Sequence, residues 1–118
     1  MEPERGEHTI ERLRDRVTVL SLSGEHDMDT VSELSDPLMS LARSNDLLVV
    51  DLTGTTFVDS SVLLNLVMAE RVAHEHGGTF RIQRAAAPIV RKAFDVSGLT
   101  DHFEIVPDRS AAVEGFVD

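Results

Sequence analysis

Apolar and polar residues alternate along this chain in two rhythms. Thr9 to Arg14 and Val17 to Ser23 ("VTVLSLS") alternate with period two on either side of Asp15-Arg16, which predicts two strands joined as a hairpin, with Gly24 ending the second. From Asp29 to Arg43 the period lengthens. Val31, Leu34, Leu38 and Leu41 recur at helical spacing, with Asp29 or Thr30 as the cap and Pro37 as the point where an interior proline would kink or interrupt the helix. "LLVVDL", Leu47 to Leu52, is apolar on both faces apart from Asp51, the pattern of a central covered strand. A loop, "TGTTFV", follows, and Ser60 to His76 reads as a helix closed by Gly77-Gly78. "TFRIQR" predicts a strand over Thr79 to Arg84, Ala87 to Val96 a helix with Pro88 early, "HFEIV" a short last strand, and Ser110 to Val117 a short C-terminal helix. Strands separated by single helices imply parallel crossovers, and the opening pair makes the sheet mixed. The expected class is α/β with four to five strands.

Composition narrows the function classes. The 118 residues, 42% hydrophobic, make one ordinary domain, 1–118. With 21 acidic against 11 basic residues the formal charge is -10, which repels phosphate backbones and anionic lipid, so no nucleic-acid partner is expected. The absence of cysteine removes disulfides, thiolate nucleophiles and thiolate metal sites, and fits a cytoplasmic protein. The N-terminal "MEPERGEHTI" has no signal-peptide core, and no apolar run reaches the roughly 18 residues of a membrane helix.

Enzymatic chemistry finds little to work with. There is no glycine-rich phosphate loop and no G-x-S-x-G elbow. His8, His26, His74, His76 and His102 are scattered and read as surface residues, and His74 and His76 point to different faces of their helix, so neither a metal nor another cofactor is expected. Asp27, Asp51, Asp59 and Ser60 lack a histidine partner and read as turn and cap residues rather than a catalytic cluster. The chain is expected not to be an enzyme.

The informative place is Asp59-Ser60-Ser61, where a loop enters a helix. A cap alone explains one such residue, worth about 1 kcal/mol. A helix N-terminus also tolerates a phosphate, so a serine there is a chemically sensible acceptor. From Val62 to Ala69 only Asn65 is polar, whereas Glu70, Arg71, His74 and Glu75 later supply a charged face. Either these first turns are covered, or they present an apolar docking patch beside Ser60. If Leu63, Leu66 and Val67 face the sheet, Leu64 and Met68 form that patch.

Four stretches, in this order, resemble the STAS domain, and within it the single-domain anti-sigma factor antagonists of bacteria: "LSGEHD" (Leu22 to Asp27), "LLVVDLTGTTFVDSS" (Leu47 to Ser61), Gly77-Gly78 before "TFRI", and "VSGLTDHFEI" (Val96 to Ile105). The resemblance implies a STAS-like mixed sheet with helices mainly on one face. It also implies an antagonist that binds an anti-sigma factor with serine-kinase activity, is switched off by phosphorylation of Ser60, and is restored by a protein phosphatase. The implied partner surface comprises Asp27, Asp59, Ser61, Val62, Leu64 and Met68. In that family the serine pair usually precedes a glycine, with another two residues later, where this chain has Val62 and Leu64. A non-phosphorylated STAS accessory or scaffold subunit of a transport or stress-sensing complex is the alternative.

Overall fold

The computed structural model describes residues 4–117; residues 1–3 and 118 of the expected 1–118 domain lie outside the described residues. Strands β1 (Glu7–Arg14) and β2 (Val17–His26) form the expected antiparallel hairpin, with Arg16 at positive φ in its tight turn. Helix α1 (Met28–Ser44) leads to β3 (Leu47–Val58), α2 (Ser60–Glu75) to β4 (Thr79–Gln83), and α3 (Pro88–Val96) to β5 (Ile105–Val106), before the short α4 (Arg109–Ala112). The strands lie in chain order, β1-β2-β3-β4-β5, and every pair after the hairpin is parallel.

That order decides where the helices go. Right-handed crossovers that always step in the same direction along a sheet put their helices on one face. Leu20, Leu48, Val50 and Ile82 accordingly share one buried cluster with Leu34 and Leu38 of α1, Leu66 and Ala69 of α2, and Val90 and Phe94 of α3. The other face is covered at one end only, where Ala112 and the C-terminal Phe116 and Val117 pack on Val17, Val19, Leu47 and Val49. Arg81 fastens this tail, its guanidinium lying 5.4 Å from the centre of the Phe116 ring and donating to the Glu114 carbonyl at 2.7 Å.

The structure departs from the sequence reading at both strand ends that approach the site. Gly24 does not end β2. It sits inside the strand at φ +76°, a conformation glycine adopts without strain, beside a register shift in the β2–β3 ladder. The segment "TGTTFV" is not a loop, because Gly54, Thr55, Phe57 and Val58 pair with Ser23, Gly24, Glu25 and His26. Two register shifts break the period-two burial there and erase the alternation that marks a strand. Buried Thr55 anchors the extension by donating to the Leu22 carbonyl at 2.9 Å.

Helix ends follow local chemistry. Helix α1 is capped by Asp27, not Asp29 or Thr30, and runs through Pro37. Helix α2 ends as expected, with Gly77 at φ +77°. Its later face is less open than the charge pattern suggests, since Glu70 is buried and bonded to His102 Nε2 at 2.8 Å.

Candidate functional site

The parallel register places the two features that the sequence marks separately next to each other. His26 pairs with Val58, so the residues that follow, Asp27 and Asp59, leave adjacent strands side by side, and each caps a helix. Asp27 Oδ1 accepts from the amides of Asp29 and Thr30 at 2.9 and 3.2 Å, while the Thr30 hydroxyl accepts from the Asp27 amide at 3.0 Å, completing a capping box. Asp59 Oδ1 accepts from the amides of Ser61 and Val62 at 3.0 and 3.2 Å and from the Ser61 hydroxyl. Burial pushes the Asp59 carboxyl up. The hydrogen bonds from Ser61, Val62 and the Met28 amide at the start of α1 outweigh that and hold it below the ordinary carboxylate range, so Asp59 carries its charge at neutral pH.

This network separates the two serines. Ser61 Oγ is committed to Asp59 and half-buried, whereas Ser60 is exposed and its hydroxyl makes no hydrogen bond among the described residues. The amides of Ser61 and Val62 are likewise taken by Asp59, leaving few donors in this turn for an incoming anion.

Around Ser60 the helix shows two faces. Val62, expected at the partner surface, is fully buried in the core with Leu63 and Leu66, so its side chain points away from any docking partner. Position 62 lies on the sheet-facing stripe, which the nearly all-apolar turn conceals in the sequence. Leu64 and Met68 are 60% and 52% exposed, one helical turn apart. Asn65 is buried between α2 and α1, donating to Ser35 Oγ at 3.2 Å. Three further apolar side chains are exposed where parallel strands deliver their chain into helices: Met28 at the start of α1, Phe57 at the end of β3 and Ile89 in the first turn of α3. Sequence reasoning missed all three, because a lone exposed apolar residue is ordinary and only the topology gathers them at one end of the sheet.

His26, read from sequence as a surface histidine, is buried behind Asp27 at 1% exposure. Its Nε2 faces the carbonyls of Glu7 and Ser23 at 3.2 and 3.0 Å, which fixes the proton there, and Nδ1 meets Thr30 Oγ1 of the capping box at 3.1 Å. Burial pushes its pKa below the usual value, with the two carbonyl contacts opposing. As pH falls the unfolded chain therefore takes up this proton before the folded one does. The contribution of His26 to stability is complete above about pH 6.5 and is lost as pH drops towards the lower folded-state value. Urea unfolding of the parent should show stability declining from pH 7 to 5 more steeply than that of His26→Gln; equal slopes would remove His26 as the cause.

Among the described residues no cluster of three or more potential metal ligands occurs and no helix is long and apolar enough to cross a membrane. What the site offers is a free hydroxyl beside a fixed carboxylate, rimmed by exposed apolar side chains. The arrangement lies where β2 and β3 deliver the chain into α1 and α2 of an α/β module.

The chain belongs to the family described as Mlab, STAS domain, whose model matches residues 10–107. An anti-sigma factor antagonist from Mycobacterium paratuberculosis has a similar structure, with a TM-score of 0.82 and 29% identity over 97% of this chain and 96% of that one. The unphosphorylated form of the anti-sigma factor antagonist SpoIIAA matches with a TM-score of 0.79 and 22% identity, covering 95% of this chain and all (100%) of the other. The phosphorylated form of the Bacillus cell fate determinant SpoIIAA matches with a TM-score of 0.70 and 20% identity over 89% and 96%. No curated protein matches the chain by sequence. The mixed five-stranded sheet is thus the STAS fold.

Proposed function

We propose that this chain is an anti-sigma factor antagonist of a partner-switching pathway, acting in the cytoplasm through protein contacts rather than catalysis. In its unmodified state it docks on an anti-sigma factor that is also a serine kinase; phosphorylation of Ser60 releases that partner, and a phosphatase restores docking. One observation supports this above the others: of two adjacent serines at a helix start, only Ser60 has a free, exposed hydroxyl, and exposed Met28, Leu64 and Met68 lie on the two helices that begin there. The solved antagonists with the same fold, one of them phosphorylated, support the class of partner.

The switch follows from charge at a drying surface. A phosphate adds about -1.5 to -2 charges next to ionised Asp59. No Lys or Arg lies between Arg43 and Arg71, Arg5 near the Asp27 cap is paired with Glu33, and the Ser61 and Val62 amides are already engaged. Covering that phosphate with an apolar partner costs several kcal/mol unless the partner brings compensating cations.

Incubation with ATP and a serine-kinase anti-sigma factor, followed by fragmentation mass spectrometry, should place one phosphate on Ser60. Phosphate on Ser61 would overturn the assignment. Bound partner without phosphate would favour a non-phosphorylated STAS accessory subunit, a reading that Leu64, exposed one turn beyond Ser60, makes concrete. In titration calorimetry Ser60→Ala should bind as the parent does and Ser60→Asp at least tenfold more weakly; equal affinities would exclude the charge mechanism.

A further inference from the structure

A second site lies away from Ser60, beneath α3. Leu52 of β3, Ile82 of β4 and Ile105 of β5 floor an open cavity of about 220 Å³ on the helix face of the sheet, and Phe94 of α3 forms its wall. Ala85 also lines it.

The polar rim has an unusual sign. In a chain of net charge -10, two arginines, Arg84 and Arg91, line the cavity, and among the described residues the side chain of neither forms an ion pair or a hydrogen bond. Asp95 is the one acid in the lining, and it accepts a hydrogen bond from the Thr100 hydroxyl. An apolar pocket with two uncommitted guanidinium groups suits a ligand with an apolar body and a carboxylate, which arginine engages through paired N–H donors. Size sets the class further. A benzene molecule occupies an apolar cavity of about 150 Å³, so this one accepts a ring with a short substituent or a chain of about eight carbons.

We propose that the cavity beneath α3 binds a small amphipathic carboxylate, its chain on Leu52, Ile82, Phe94 and Ile105 and its carboxylate between Arg84 and Arg91. The site is independent of Ser60 and of the docking reading above.

The test is an NMR titration of the full chain with octanoate, 1-octanol and acetate. Octanoate should give saturable shifts at the methyl groups of Leu52, Ile82 and Ile105, while octanol and acetate should bind at least tenfold more weakly. The double variant Arg84→Gln, Arg91→Gln alters rim positions and should keep the parent spectrum, yet weaken octanoate at least tenfold and leave octanol unchanged. Absence of saturation by octanoate below about 1 mM would overturn the proposal. Octanol binding as tightly as octanoate would also overturn it, reducing the cavity to an unselective apolar void.

Discussion

Replacing Leu64 and Met68 together by glutamate should lower affinity for the anti-sigma kinase about a hundredfold or more while leaving the fold almost as stable as the parent. Both side chains are more than half exposed on α2, so each change should alter stability by no more than about 0.5 kcal/mol. Their spacing of four residues adds a like-charge repulsion of about 0.2–0.5 kcal/mol, for a combined cost of at most about 1.5 kcal/mol. Docking is affected differently. If each side chain is an apolar anchor at a dry interface, losing it costs about 1.4 kcal/mol, a factor of ten, and the pair multiply to about a hundred. Urea unfolding and titration calorimetry on the same protein check the two halves. A loss of several kcal/mol in stability would return both residues to the core, and unchanged affinity would move the docking surface elsewhere.

The helices and the sheet class were legible because each rests on a local signal. The apolar stripe of α1, the Gly77-Gly78 stop and the two-faced apolar run of β3 each reflect a geometry that a short stretch of chain specifies alone. The extension of β3 through Val58 was hidden for the opposite reason. Its pairing with β2 is non-local, and the register shifts destroy the only local trace of it. The cap of α1, Asp27, lies two residues before Asp29 and three before Thr30; all three are good caps, and only the capping-box geometry distinguishes them. Charge alone likewise misjudged His26 and Glu70, which are buried because the carbonyls of Glu7 and Ser23, and the ring of His102, satisfy them.

At the candidate site the sequence marked Asp27, Asp59, Ser60, Ser61, Val62, Leu64 and Met68; the structure sets Asp27 beside Asp59 through the His26–Val58 pairing, leaves Leu64 and Met68 exposed further along α2, and buries Val62. The sequence picks Ser60 only by its place directly after Asp59 and by the family resemblance; it shows no chemical difference that divides the two hydroxyls. That division comes from the Asp59 carboxylate, which turns towards Ser61 and the helix amides and away from Ser60. The cavity beneath α3 was illegible too, since its lining comes from three strands, one helix and the connections that carry Arg84, Ala85 and Thr100, which only the fold brings together.

Restoring the family glycine at position 62 should destabilise the protein by about 2.5–4 kcal/mol and leave Ser60 no better a phosphoacceptor. Val62 is fully buried, so removing its side chain loses about 1.5–3 kcal/mol of burial, and glycine in a helix adds about 1 kcal/mol. Because the valine faces the core rather than Ser60, its removal opens no path for a kinase to the hydroxyl. Leu64→Gly inverts the pattern. That side chain is mostly solvent-exposed, so the stability cost is limited to about 1 kcal/mol of helix propensity, while the docking patch loses an anchor. Denaturation midpoints and initial phosphorylation rates of the two variants provide the comparison. Faster phosphorylation of Val62→Gly than of the parent, measured well below its unfolding transition, would mean that the valine restricts access to Ser60 and that the buried placement does not govern the site. A large stability loss with an unchanged rate would assign Val62 to the core alone and leave Leu64 as the departure from the family pattern that touches the partner.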